Sequence, residues 1–144
     1  MNYDKINGYL VDIFNNVVII EEASLKNSKF NDVSLKEMHT IDVIGTHPDT
    51  TPSAVARELI LTLGTVTTSL NKLEKKGYII RTRSSVDRRV VHLSLSKKGR
   101  LVYRLHRGFH KSMVMRITEG FNDEELKVMS KGLENLHAFL EELK

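Results

Sequence analysis

The sequence contains no cysteine. That single absence removes thiol nucleophiles, cysteine metal sites, disulfides and cysteine redox sensing together. Proline occurs only twice, and Pro48 and Pro52 both stand where they punctuate helices. No run approaches the roughly 20 consecutive apolar residues that span a bilayer. The start, Met1-Asn2-Tyr3-Asp4, lacks the basic-then-apolar order of a secretory signal. The expected compartment is the cytoplasm, with no membrane partner. Repeats, linkers and low-complexity tracts are missing. So are a nucleophile–base–orienter set and a phosphate-binding glycine loop, and neither enzyme activity nor a catalytic residue is expected. The chain has 144 residues, 40% hydrophobic and 28% charged, enough for one domain with its own core.

Charge is unevenly placed. Residues 1–51 carry four Lys/Arg against eight Asp/Glu, and residues 117–144 carry three against seven. Between them, residues 52–95 carry eight against three, and residues 96–116 carry seven with no acid. The net +4 therefore conceals a basic middle between two acidic ends. An anionic partner meeting the centre of the chain accounts for this, and a solvated basic face would have the same composition.

Apolar spacing sets out the elements. Ile6, Leu10, Ile13, Val17 and Ile20 recur at steps of four and three, with Phe14 and Val18 widening the stripe, and predict an amphipathic helix of about six turns. After a polar loop to Val33, Ser34 and Glu37 have capping-box spacing. They open a helix that presents Leu35, Met38, Ile41, Val43 and Ile44 before Pro48. Thr51-Pro52 pairs a capping residue with proline at the first helical position. The short helix that follows buries Val55, Ala56 and Leu59 and gives out near Ile60. Thr62 caps another helix, with Leu63, Val66, Leu70 and Leu73 as its expected buried stripe and Gly77 at a left-handed cap. Two helices joined by so short a turn make a helix-turn-helix candidate.

Beyond Gly77 the period changes to two. Residues 78–83 and 90–95 read as a hairpin around the polar tip Ser84-Ser85-Val86-Asp87-Arg88-Arg89. Ser96 caps a long helix from Lys97, with Leu101, Leu105 and Phe109 on one side. After a break at Gly120, Asn122 and Glu125 repeat the capping-box spacing. The last helix carries Leu126, Met129, Leu133, Leu136, Leu140 and Leu143 at three-four spacing, a coiled-coil-like seam. The terminal helices have more apolar surface than a core this small covers. They can pack on each other or on a second copy, and a homodimer is the expected solution because it also suits paired DNA half-sites.

The basic middle reads as a DNA surface. Opposite the leucine stripe of the helix over residues 62–76 lie Gly64, Thr65, Thr67, Thr68, Asn71, Lys72 and Lys75. Small residues let a helix approach base edges in the major groove, threonine methyls suit the thymine methyl, and asparagine pairs with adenine through two hydrogen bonds. A polar surface helix is the plain alternative, yet four threonines, Thr62 included, within seven positions cost helix propensity. Arg88 and Arg89 on the hairpin tip can reach the neighbouring minor groove, where potential is most negative over A·T-rich sequence. Asp87 can orient one of them through a charge-assisted bond, and Arg81 and Arg83 suit phosphates. With Ser53 at the start of the short helix, these complete the candidate DNA-contacting set.

The order helix, helix, helix-turn-helix, hairpin, two long helices resembles the MarR family of winged-helix regulators over essentially the whole chain. The resemblance is carried by Thr65-Val66-Thr67, Leu73-Glu74-Lys75-Lys76-Gly77-Tyr78-Ile79, Asp87-Arg88-Arg89 and Leu95-Ser96-Lys97-Lys98-Gly99. It implies a mostly α fold: a winged helix-turn-helix core over residues 34–96 with a two-stranded wing, and dimerisation helices over 1–33 and 97–144, all in one domain. Ile13-Phe14-Asn15-Asn16-Val17, Glu21-Glu22-Ala23-Ser24-Leu25, Leu63-Gly64-Thr65-Val66-Thr67-Thr68-Ser69-Leu70 and Arg104-Leu105-His106-Arg107 look like the members that repress fatty-acid synthesis in low-GC Gram-positive bacteria. That likeness implies a homodimer on palindromic operators in double-stranded DNA. No cofactor is implied, and long-chain acyl-acyl carrier protein is the implied co-repressor.

Arg100, Arg104, Arg107 and Lys111 form a basic stripe on which an acidic carrier protein could dock. The same stripe could pair with the acidic termini or simply be solvated. Phe14, Val17, Val18, Met38, Ile41, Phe109 and Met113 could line an acyl slot, although apolar residues at helical spacing are more often ordinary core. Arg104, His106, Arg107 and His110 complete the candidate ligand set. His106 and His110, with His39 and Glu21 or Glu22, could instead hold zinc in a metal-sensing regulator. No His-Glu-x-x-His motif supports this, and no metal site is assigned.

Overall fold

The computed structural model describes residues 2–144; Met1, where the expected first segment begins, lies outside them. Among the described residues the order is α1 (Tyr3–Lys26), α2 (Leu35–Thr46), α3 (Pro52–Leu59), α4 (Leu63–Lys75), β1 (Ile79–Arg83), β2 (Val91–Leu95), α5 (Lys97–Ile117) and α6 (Asp123–Glu142). The molecule is mostly helical, with a single antiparallel strand pair running from Ile79↔Leu95 to Arg83↔Val91. Contacts divide the chain into residues 1–107 and residues 108–144, with the division falling inside α5.

Local chemistry explains most boundaries. Both expected capping boxes close, Ser34 with Glu37 at α2 and Asn122 with Glu125 at α6. Each satisfies two backbone N–H groups that the first turn leaves without helical partners. Thr51 and Thr62 accept from Ala54 and Thr65 at 3.2 Å, and Gly77 adopts φ +85° where the chain leaves α4. The strands are one residue shorter at their starts than periodicity suggests. Tyr78 N–H donates to Leu73 O, which closes the α4 cap, and Val90 N–H donates to Asp87 O, which closes the hairpin turn.

Within residues 1–107 the core gathers Met38 and Ile41 of α2, Val55 of α3, Val66, Leu70 and Leu73 of α4, Tyr78, Leu93 of β2 and Val102 of α5. Leu63 departs from its expected place in the buried stripe and is 51% exposed. It is the first residue of α4, a turn ahead of Val66, and so precedes the part of the helix that is roofed by the core. On α1, Ile6, Ile13 and Ile20 are exposed, and only Glu21 and Leu25 are buried. In residues 108–144 no described residue is buried; along the α6 seam Leu126, Met129 and Leu136 are half-buried, and Leu133, Leu140 and Leu143 are exposed.

Two features of residues 1–107 bear on stability. Ile60, between α3 and α4, is left-handed at φ +55°, a region that crowds a β-branched side chain. It is also 61% exposed, so little burial offsets the strain. Ile60→Asn should stabilise the protein by about 1 kcal/mol, since asparagine tolerates this conformation; a thermal melt with no upward shift would contradict the strain.

The second feature is a polar clamp. The buried Tyr78 hydroxyl donates to Asp32 Oδ1 at 2.5 Å. Lys76 Nζ donates to Glu37 and to Asp32 O, and Lys98 lies 4.3 Å from the Tyr78 ring centroid. The clamp ties the α1–α2 loop to the end of α4 and the start of α5. The Tyr78 hydrogen bond, helped by Lys98 and Lys76, holds the Asp32 carboxyl below its ordinary value, while burial and Asp32 push the Tyr78 phenol up. Because the folded state favours ionised Asp32, its contribution is present above the unfolded value of about 3.9 and is lost as pH falls through the lowered folded one. Tyr78→Phe should therefore reduce the drop in urea midpoint between pH 6 and pH 3. An unchanged drop would remove Asp32 from the acid response.

Candidate nucleic-acid interface

The candidate surface begins where α3 hands the chain to α4. The outward face of α4 is exposed throughout: Thr62 at the cap, then Gly64, Thr65, Thr67, Thr68, Asn71, Lys72 and Lys75. A Cβ built on Gly64 meets nothing within 4 Å, so glycine here keeps a bare stretch of helix open toward solvent. Ser53 is exposed near the start of α3.

The threonines divide by what their hydroxyls already do. Thr62 caps the helix and shares a 2.8 Å bond with Thr65, and Thr68 donates to Gly64 O at 3.1 Å. Thr67 and Asn71, among the described residues, keep uncommitted polar groups and stand four residues apart on one face, as hydrogen-bonding to neighbouring base edges requires.

Residues 84–90 form a built turn. Ser84 Oγ accepts from both Val86 N–H and Asp87 N–H at 3.2 Å. This role escaped the sequence reading, although a serine preceding the tip is the signal for such a turn. Asp87 holds Arg89 through its Nε at 3.2 Å and its Nη2 at 3.3 Å, and the same bonds keep the Asp87 carboxyl below its ordinary value. Arg83 donates to Arg88 O at 3.1 Å, bracing the tip from the strand, and Arg81 lies 3.8 Å from Glu74 of α4. The Arg88 guanidinium extends from this frame, exposed and without a partner among the described residues. The geometry supplies one arginine held by Asp87 and one exposed without a partner among the described residues.

A profile of the MarR family matches residues 33–91. Over 99% of both chains, the protein is 65% identical to Streptococcus pneumoniae FabT in a crystal structure with DNA, at a TM-score of 0.90. The chain belongs to the MarR family. The chain is also similar to two Bacillus subtilis HTH-type transcriptional regulators, PchR, 28% identical over 98% of this chain and 82% of its own, and YwhA, 32% identical over 69% and 73%. As a MarR-family protein it is a DNA-binding transcriptional regulator with a winged helix-turn-helix, in which α3 and α4 are the helix pair and the β1–β2 hairpin is the wing. No helix among the described residues is long and apolar enough to cross a membrane.

The residues considered for a ligand differ in their surroundings. Met38 and Ile41 are fully buried core, and Val17 is half-buried between exposed Phe14 and Val18 on α1. Arg107 is bound to α2, with Nη2 donating to Thr46 at 2.6 Å, Nε 3.4 Å from Asp42 and its guanidinium over the Tyr103 ring. Arg100 donates to Leu95 O. Of the basic stripe in residues 1–107, this leaves Arg104 at the rim of a cleft of about 370 Å³ that Ile44, Pro48, Leu93 and Tyr103 help to line. The His106 side chain is buried with Glu21, 3.8 Å apart, its ring edge-on to His39. Phe109, His110 and Met113 are half-buried in the second part of α5.

Proposed function

We propose that the protein is a homodimeric transcriptional repressor of fatty-acid-synthesis genes, binding palindromic promoter sites with long-chain acyl-acyl carrier protein as co-repressor. The observation that carries this reading is the 65% identity, spread over 99% of the chain, to FabT, a protein seen bound to DNA. The residues that resemble fatty-acid-synthesis repressors run from α1 through α4 to α5, so the likeness reaches beyond the DNA-binding core.

Exposed apolar side chains support the dimer. Many of the exposed apolar residues lie on α1, the second part of α5 and α6, as expected if residues 1–33 and 97–144 form the dimerisation helices and residues 34–96 the DNA-binding core.

In this reading α4 enters the major groove and the wing's arginines enter the minor groove. Both half-sites are engaged only when the two recognition helices stand about one DNA turn, roughly 34 Å, apart. The co-repressor acts by binding that spacing more tightly than others, and shifts the equilibrium only by the difference. The Arg104 rim is where an acidic carrier protein would meet the chain.

The test is a titration of the full-length protein against fatty-acid-synthesis promoter duplexes, with and without long-chain acyl-acyl carrier protein. Affinity should rise with the acylated carrier and remain unchanged with the unacylated one. No rise, with the dimer intact, rejects the co-repressor. Affinity that falls with chelator and returns with zinc would favour metal sensing instead.

A further inference from the structure

From the exposure of Leu63 we infer that this residue is a specificity determinant, reading a thymine through its 5-methyl group in the major groove. The inference rests on α4 being the helix that enters the groove. It deepens that reading by assigning a base contact to a residue whose spacing had marked it as core.

Leu63 heads a row of three residues spaced four apart, Leu63, Thr67 and Asn71, all exposed along one side of α4. Such a row lies nearly parallel to the helix axis. Its members therefore meet successive positions along a groove. Thr67 and Asn71 carry uncommitted hydrogen-bonding groups, and an uncommitted amide pairs best with adenine. Leu63 can offer only an apolar contact. On the major-groove edge of a base pair the apolar partner is the thymine methyl.

The local fold does not account for an apolar side chain here. Leu63 is 51% exposed and is preceded by exposed Ile60 and Leu61, with Ile60 held in a conformation that its β-branched side chain resists. The neighbouring Gly64 leaves open space on its own side of the helix. The surroundings are basic: residues 52–95 carry eight Lys/Arg against three Asp/Glu. That charge suits a polyanion and disfavours a purely apolar protein partner.

The experiment uses the full-length protein and a duplex that it selects from a random pool at fixed salt. Each thymine of that duplex is then replaced in turn by deoxyuridine, which removes only the methyl. For the wild type, one position per half-site should lose about fourfold in affinity, and about fifteenfold when both half-sites are changed, the worth of burying one or two methyl groups. Leu63→Ala should bind thymine and uracil duplexes alike, near the wild-type affinity for uracil. Wild-type affinity indifferent to uracil at every position would overturn the inference while leaving DNA binding intact. A uracil penalty retained by Leu63→Ala at the same position would overturn it too. Failure to select any duplex would overturn the DNA-binding reading itself. The wild-type measurement does not depend on whether the variant folds.

Discussion

Replacing Arg88 with alanine should weaken operator binding about thirtyfold per half-site, corresponding to about 2 kcal/mol. Arg57→Ala, on the exposed side of α3, should change it less than twofold. The expectation follows from the wing's internal bonding. Ser84 builds the tip, Asp87 holds Arg89, and Arg83 is spent on the Arg88 carbonyl. The Arg88 guanidinium alone extends with all its donors available, and desolvation in a narrow minor groove strengthens its attraction to the bases and sugars there. Arg89→Ala should also exceed the Arg57 control, because it removes a cation and strands the Asp87 carboxylate near phosphates. Asp87→Ala separates orientation from charge. If holding Arg89 in place matters more, the variant binds DNA worse; if charge alone matters, it binds better. Equal affinities for the Arg88, Arg89 and Arg57 variants would remove the wing from DNA recognition. Binding of every variant should still weaken with salt, since phosphate contacts release counterions.

The largest expected effect on folding is at Gly99. A Cβ there would lie 2.1 Å from the Tyr78 carbonyl oxygen and 3.3 Å from the Leu95 Cβ. The first is backbone and cannot rotate away. It already accepts the Ser96 N–H at 3.0 Å, and the Tyr78 ring is fully buried and bonded to Asp32. Gly99→Ala must push the start of α5 off the base of the wing, breaking the Ser96 cap that donates to Gly77 and receives the Gly99 N–H. A loss of about 3 kcal/mol is expected. At constant protein concentration this lowers the melting temperature by roughly 10 °C. A variant melting within a degree or two of wild type would show that α5 can shift without cost. Because α5 runs from the wing base into residues 108–144, the same variant should also weaken DNA binding at temperatures where it remains folded.

These predictions draw on features that differ in how they can be read. The helix boundaries were legible in advance at Ser34–Glu37, Thr51–Pro52, Thr62, Gly77 and Asn122–Glu125, because a cap is a contact between residues three or four apart. The exposed polar face of α4 was legible from residue type and spacing, since a run of threonines with glycine and asparagine opposes the buried Val66, Leu70 and Leu73. Its internal division was not. Which threonine hydroxyls are spent on Thr65 or on the Gly64 carbonyl depends on rotamers that composition does not reveal. Asp87 was legible as an orienting group, but Ser84 as the builder of the tip was not. Arg107 read as one of four equivalent cations, whereas Asp42 and Thr46, more than sixty residues away in the chain, take it out of that stripe.

Leu63 marks the boundary most clearly. Its spacing from Val66 and Leu70 matches a buried stripe, and periodicity records only the direction in which a side chain leaves its helix. Whether anything covers that direction depends on where the other elements end in space. Element order, caps, charge distribution and family likeness follow from neighbours along the chain, because local bonds and propensities encode them. Whether Leu63 is covered, the capture of Arg107 and the tight seat of Gly99 are decided when segments distant in the chain are brought together.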